Sequence, residues 1–370
     1  ETSTEKKRYQ LTSLDCNEPS KKPLSCGCGC SSNTDQKMSI PALPPIDKRG
    51  HIMCRISDKF RMNYSVAPGL YSIGNPDELS PVLVTANYRL TCDHLRKAME
   101  KSSIWVLVID TKGINVWCAA GKGTFGTSEL INRIKCTKLD TIVRHRNLIL
   151  PQLGAPGVSA HQITKATGFS ISYGPVLASD IPAYLEAGKK ATSEMRIIQF
   201  PLRERIILTP MELLPALKKY FWLILGIMVF MGIQPSGILY KPAFANSWPL
   251  IAIGLISIIT GSVIFPVLLP VIPFRSFALK GMILGVIAIA PSLLLCDNIY
   301  HGSLFLASAS ILFNIALISY LSLNFTGCTP FTNISGVKLE MKFSVPVYIS
   351  MCIISSVLLI IFKLQEWGIV

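Results

Sequence analysis

From about residue 219 to the end, the chain is a succession of apolar stretches, and this constrains its fold more than any other feature. The stretches run roughly Tyr220 to Tyr240, Trp248 to Ile272, Phe277 to Cys296, Ser303 to Leu323 and Phe343 to Phe362. Each is near the ~20 residues that a helix needs to cross ~30 Å of hydrocarbon. Four hold no charged residue and the third holds only Lys280. Any one of them taken alone could be a buried core helix of a soluble protein. Five in succession predict five membrane spans and exclude a purely soluble globule. Half of all residues are apolar and only 16% are charged, yet 36 Lys and Arg face 22 Asp and Glu. A balance of +14 on so few charged positions predicts a basic, lipid-facing side rather than a nucleic-acid surface.

Orientation follows from the loops, since Lys and Arg are retained on the cytoplasmic side. Arg203, Arg205, Lys218 and Lys219 precede the first stretch, Arg275 and Lys280 flank the second-to-third turn, and Lys338 and Lys342 precede the fifth. Lys241 and Lys363 are nearly all that the other side holds. The expectation is a multi-pass protein of the cytoplasmic membrane, with its N-terminal domain in the cytoplasm and its C-terminus outside. No Asp or Glu falls within a stretch, which weakens a proton- or ion-coupled transporter.

Four segments are expected: a polar tail over 1–50, an α/β domain over 51–205, a basic linker over 206–219 and the membrane part over 220–370. Eleven cysteines with no hydrophobic leader in front point to reduced thiols available to metals. Cys26, Cys28 and Cys30 lie in a Cys-Gly-Cys-Gly-Cys run of the tail. They are candidates for capturing a soft cation such as Hg²⁺, or are simply reduced or lipidated cysteines, since the spacing fits no standard zinc or iron–sulfur pattern.

Between 51 and 205, β-rich runs alternate with helical ones. Strands are predicted over 81–86, 104–110, 114–117, 147–150, 169–173 and 196–200. Helices are predicted over 91–101, from an N-cap at Thr127 through 134, and over 158–166 and 179–188. Such alternation implies a mostly parallel sheet covered on both faces, with ligands beyond the C-terminal strand ends.

The loop expected to carry chemistry runs Asn115-Val116-Trp117-Cys118-Ala119-Ala120-Gly121-Lys122-Gly123-Thr124-Phe125-Gly126. Small residues let a broad, flat ligand or a phosphate approach the backbone. The Gly-Lys pair is not a phosphate-binding P-loop: position 116 is Val where that motif needs Gly, and position 123 is Gly where it needs Ser or Thr. Cys118 reads either as a small buried thiol or as a metal-ligating thiolate favoured by Lys122 and a downstream helix N-terminus.

The run from Asn115 to Gly126 resembles the signature of membrane-bound corrinoid proteins that methylate mercury. Segments 150–161, 168–182 and 205–212 also resemble the corrinoid-binding domain of the corrinoid iron–sulfur protein of the acetyl-CoA pathway. The segment Asn324 to Thr332 and the five apolar stretches are similar to the mercury-methylating branch alone. The resemblance implies a Rossmann-like corrinoid-binding domain followed by an all-α transmembrane domain of five helices. It implies a cobalamin-type corrinoid held base-off, with the Cys118 thiolate as lower axial ligand of cobalt, where the soluble relative usually has Thr. Asn115, Val116, Trp117, Ala119, Ala120, Gly121, Lys122, Gly123 and Thr124 would surround the corrin, and loop residues Thr85, Asn87, Gln152, Gly157 and Gly174 are further candidate contacts.

The activity implied is transfer of a methyl group from cobalt to inorganic Hg(II), with a methyltetrahydrofolate-type donor system upstream. The reductant implied is a ferredoxin-like protein with two [4Fe–4S] clusters, since this chain has no four-cysteine cluster spacing. Two alternatives remain: a corrinoid methyl carrier for one-carbon metabolism, and a non-enzymatic membrane protein that binds or transports soft metal. The Asp-x-His-x-x-Gly pattern that gives other corrinoid proteins a histidine ligand is absent, so His51, His94, His145, His161 and His301 read as ordinary polar or cap residues.

Overall fold

The computed structural model describes residues 40–235, 237–238, 240–332 and 334–369, so Cys26, Cys28 and Cys30 lie outside the described residues. The chain divides into two compact units, residues 1–198 and 199–370.

The described part of the first unit opens with two short helices, α1 (Lys48–Ile56) and α2 (Asp58–Met62). It continues with β1 (Gly69–Ile73), β2 (Val82–Ala86), α3 (Arg89–Ala98), β3 (Ile104–Ile109) and α4 (Val116–Lys122). Next come α5 (Thr127–Cys136), α6 (Leu139–Ile142), β4 (Asn147–Leu150), a 3₁₀ segment (Gln152–Gly157), α7 (Ala160–Thr167), β5 (Ser170–Tyr173) and α8 (Ile181–Glu186). The sheet order is β1-β3-β2-β4-β5. β2 to β5 are parallel and β1 pairs antiparallel with the outer side of β3. This is a mixed α/β domain with a mostly parallel sheet.

Side chains on a strand alternate between faces, so the continuous apolar runs of β2 and β3 fill two cores at once. Val84, Leu107, Ile109 and Leu150 pack with Ala119, Leu130 and Ile163 on the face covered by α4, α5 and α7. Leu83, Val106, Val108 and Ile149 pack with Leu95, Met99 and Tyr184 on the face covered by α3 and α8. The chain therefore leaves β2 across one face and β3 across the other. The strand order reverses at β2, where such sheets open a crevice beyond their carboxyl ends.

Three local expectations change. Residues 114–117 form no strand, because Asn115 caps α4 with its side chain and the helix starts at Val116. Residues 196–200 form no strand either: a 3₁₀ turn closes at Arg196, Ile197 is more than half exposed, and the segment has no ladder partner among the described residues. Thr127 is the first residue of α5 rather than its cap, and its hydroxyl oxygen accepts from the Ser159 N–H at 2.8 Å. The sequence pattern also gives no sign of β1, a short edge strand with no strong alternation.

The second unit contains five helices long and apolar enough to cross a membrane: α9 (Leu202–Gly232), α10 (Ala243–Leu268), α11 (Phe277–Tyr300), α12 (Leu304–Gly327) and α13 (Ser335–Glu366). Residues 206–219, expected as a linker, are helical and belong to α9, which holds Pro210 and Pro215. Helix contact in this unit relies on small residues, as expected where lipid is as apolar as leucine. A Cβ on Gly281 of α11 would lie 2.7 Å from the Ser319 Cα of α12. The Ser319 hydroxyl donates to the Ala278 carbonyl at 2.7 Å, and Ser257 donates to Asn314 Oδ1 at 2.8 Å. Two buried cations meet the carbonyl end of α10: Arg205 donates to Pro266 O and Val267 O, and Lys280 to Leu269 O. Cations belong at that negative end of a helix, where four carbonyls lack partners.

Candidate functional site

At the carboxyl end of β3 the chain makes a turn over 110–114 and enters α4. Asn115 Oδ1 accepts the Cys118 N–H at 2.9 Å, a side-chain N-cap that starts the helix and fixes the backbone carrying the thiol. Helical spacing then sorts the residues. Val116, Ala119 and Ala120 face the core, Trp117 and Cys118 are half-buried, and Gly121, Lys122 and Gly123 are exposed. Gly123 ends the helix at φ 77°, a left-handed conformation that glycine adopts without cost. A Cβ placed there would meet nothing within 4 Å, so the C-terminal end of α4 is open at Gly123.

Burial pushes the Cys118 thiol above the usual thiol range, while the Lys122 ammonium and a hydrogen bond from Asn115 pull it back. Desolvation outweighs the expected thiolate-favouring groups. The donor type still suits a soft metal: a half-buried thiol on a short helix whose last residues, Gly121 to Gly123, are exposed. The residues present fit a broad ring at this end of the helix.

The 3₁₀ segment packs against α4, and Gly157 is the point of closest approach. A Cβ on Gly157 would stand 2.1 Å from Phe125 O and 3.1 Å from the Ala120 Cα, so that position serves the packing of the site rather than an open face. Gln152 Oε1 accepts from Arg196 Nη1. Thr85 is buried within β2, and Gly174 is buried with its N–H on the Leu150 carbonyl at 2.8 Å. Asn87 is 5% exposed and spends its amide inside the protein. The structure thus brings Asn115 to Thr124 together with Gln152 and Gly157, and turns Thr85, Asn87 and Gly174 inward.

Sequence reasoning misses the group that holds this edge. Glu129 Oε1 accepts from the Asp110 N–H at 3.0 Å and from Arg133 Nε and Nη2 at 3.1 and 2.8 Å, and Arg133 is buried. The i,i+4 spacing of Glu129 and Arg133 is a visible signal, as is the turn-forming Asp110-Thr111-Lys112-Gly113. No group of three or more His, Cys, Asp and Glu side chains suited to a metal occurs among the described residues. His51 bonds Asp93 at 2.8 Å and His145 bonds the Ser80 carbonyl at 2.8 Å, ordinary polar roles.

Similarity to known proteins falls on this α/β unit. The family of the CO dehydrogenase/acetyl-CoA synthase delta subunit matches residues 44–185, a stretch that ends before α9. The acetyl-CoA decarbonylase/synthase complex subunit gamma of Methanopyrus kandleri is 36% identical over 146 residues, 39% of this chain and 30% of its own length. The subunit gamma of Methanocaldococcus jannaschii is 35% identical over 127 residues, 34% of this chain and 26% of its own. The corrinoid/iron-sulfur protein large subunit of Moorella thermoacetica is 33% identical over 120 residues, 32% of this chain and 26% of its own. The chain spans less than a third of the length of these relatives. Over its α/β unit it is similar to subunits of acetyl-CoA decarbonylase/synthase and to a corrinoid protein large subunit.

Proposed function

We propose that the α/β unit is a Rossmann-like corrinoid-binding domain and that the chain is a membrane-anchored corrinoid methyl carrier of one-carbon metabolism. The observation that carries this reading is the mostly parallel α/β unit, whose residues 44–185 match the CO dehydrogenase/acetyl-CoA synthase delta subunit family and which sets the half-buried Cys118 thiol just past the carboxyl end of β3. The names of the relatives, acetyl-CoA decarbonylase/synthase subunits and a corrinoid/iron-sulfur protein, support the same chemistry. When bound, the corrinoid supplies a cobalt-held methyl group, and the protein positions the ring and tunes the metal.

The chain's own residues would divide that work. Cys118 Sγ would hold the corrinoid's metal, and as a thiolate, since only the thiolate ligates. Ala119 and Ala120 let α4 pack closely on the core, the exposed Gly121 and Gly123 would leave room for a ring, and Lys122 lies exposed for the cofactor's polar periphery. The reductant is a ferredoxin-like partner with two [4Fe–4S] clusters, and the donor a methyltetrahydrofolate-type system. The cationic loops support a cytoplasmic α/β unit and a C-terminus outside.

A second reading sends the methyl group to inorganic Hg(II). The softness of a thiolate at Cys118 favours it, because a sulfur ligand pushes electron density towards a group that a thiophilic ion can accept. The five apolar helices, which lie beyond the family match, accord with the motif resemblance to the mercury-methylating branch.

An absorption spectrum and a Co-edge X-ray absorption spectrum of the full chain, purified with corrinoid, test the proposal. Bound corrinoid with one sulfur neighbour supports it, and a colourless, cobalt-free protein after reconstitution overturns it. Loaded protein is then offered Hg(II) or the acetyl-forming partner complex. Methylmercury with no acetyl product selects the second reading, and acetyl product without methylmercury selects the first.

A further inference from the structure

The segment that delivers Cys118 to the edge of the sheet is held from the neighbouring strand by one side chain. Asn87 directly follows β2. Its Oδ1 accepts from the Thr111 N–H at 3.1 Å and from the Gly113 N–H at 2.9 Å. The Thr111 hydroxyl shares its proton between Asn87 Oδ1 at 2.8 Å and the Ile114 carbonyl at 2.6 Å. Asn87 Nδ2 donates to Asp110 Oδ1 at 3.2 Å, and the same carboxylate oxygen accepts the Lys112 N–H at 2.8 Å.

The turn so clasped is not one that the backbone would hold unaided. Lys112 sits at φ 58° and Gly113 at φ 71°, two successive left-handed residues, and a lysine there costs conformational energy that its surroundings must offset. The residue that follows Ile114 is Asn115, whose side chain caps α4 and binds the Cys118 N–H. An unbroken series of short bonds therefore runs from the end of β2 through the turn to the backbone of the thiol. Neutral amide and hydroxyl groups, 5% and 0% exposed at Asn87 and Thr111, make it rigid, because each bond lost would leave a buried donor or acceptor unmade.

We propose that Asn87 is a positioning residue that clasps the turn over 110–114 and thereby sets where the Cys118 sulfur stands at the edge of the sheet. It does not contact a cofactor: its amide oxygen accepts three donors and its amide nitrogen faces Asp110. The consequence for cobalt ligation rests on the corrinoid reading above, whereas the consequence for the thiol does not.

The test uses the full chain and three variants. Asn87→Ala removes the clasp. Asn87→Asp paired with Asp110→Asn exchanges amide and carboxylate, keeping their mutual bond and the acceptor facing Thr111 and Gly113 but giving up the Lys112 N–H bond to residue 110. Thr111→Val is a milder cut that keeps the side chain's shape. Circular dichroism reports folding. In corrinoid-free protein, the alkylation rate of Cys118, read by peptide mass spectrometry against buried Cys54, should rise about tenfold in Asn87→Ala as the loop opens locally. It should rise less in Thr111→Val and return towards the parent rate in the exchange. In corrinoid-loaded protein, the sulfur neighbour at the Co edge should be lost or lengthened in Asn87→Ala and recovered in the exchange.

Unchanged alkylation in both Asn87→Ala and Thr111→Val overturns the clasp. If Asn87→Ala does not fold, the alkylation rate of Thr111→Val decides alone. Should alkylation respond as expected while the parent shows no cobalt–sulfur bond, the clasp stands and the corrinoid reading falls.

Discussion

Two cysteines stand near the starts of consecutive helices, each after a parallel strand, and their fates differ. Cys92 lies in α3 after β2 and Cys118 in α4 after β3. α3 has no side-chain cap, and Cys92 is 1% exposed with its thiol on the Ala86 carbonyl at 3.3 Å. Burial, aided by the Asp93 carboxylate, pushes that thiol up to about 12. α4 is capped by Asn115, ends at an exposed Gly123 and carries Lys122 in its last turn, so Cys118 is half-buried and its pKa is raised against two opposing groups. The comparison teaches that place along a βα unit does not make a reactive thiol. What matters is whether the following residues are exposed, as Gly121, Lys122 and Gly123 are, or bulky and inward, as Leu95 and Met99 are after Cys92.

The strongest way to break this contrast is to remove each sulfur in turn. Cys118→Ala is expected to abolish the cobalt–sulfur neighbour and methyl transfer, read by X-ray absorption and product assay, while Cys92→Ala leaves the cobalt environment unchanged. The cost of Cys92→Ala falls on the core instead, about 1 kcal/mol for the methyl-sized void, measurable by denaturant unfolding.

Reactivity sharpens the comparison. Only thiolate reacts with iodoacetamide, and both thiols are shifted upward, so both are protonated at neutral pH. The Cys118 rate should climb about tenfold per unit of rising pH until its raised pKa is reached. At pH 8 it should exceed the Cys92 rate, because Cys92 is 1% exposed and its thiol is pushed up to about 12. Equal labelling of the two peptides would remove the contrast.

A smaller effect is expected at the cap. Asn115→Ala deprives α4 of its N-cap bond and should cost about 1 kcal/mol in unfolding free energy. Asn115→Asp should recover most of it, because a carboxylate caps equally well. The smallest effect belongs to Lys122→Gln. Loss of one exposed cation should slow Cys118 alkylation by about two- to threefold at low salt, and added salt should erase the difference.

Much of the fold is legible in the amino-acid pattern. The runs Val82–Ala86 and Ile104–Ile109 are apolar without alternation, which only a doubly covered strand tolerates. The five apolar helices are legible because length and hydropathy report directly on lipid. Pattern misleads where one neighbour outweighs it. Val116 and Trp117 have strand-like side chains, yet the Asn115 cap and the Ala119-Ala120 pair carry the segment into a helix. Residues 196–200 look like a strand, but no edge receives them. The basic stretch 206–219 looks like a linker, but helix-forming Leu, Glu, Met and Lys extend α9 through it.

At the candidate site, the sequence alone singled out Cys118 among the thiols, through the small residues after it and the motif around it. It also determined that a long apolar region follows the α/β unit. Only tertiary structure decided which loop residues face outward. Asn87 and Thr85 follow or end a strand as plausibly as any contact residue, and whether an amide meets a ligand or a neighbouring turn depends on strand order. β3 lies beside β2, so Asn87 meets the turn over 110–114, a pairing across more than twenty residues that no local pattern encodes. The packing of Ala120 and Phe125 against residues 154–157 was decided in the same way, since sequence places that segment about thirty positions downstream.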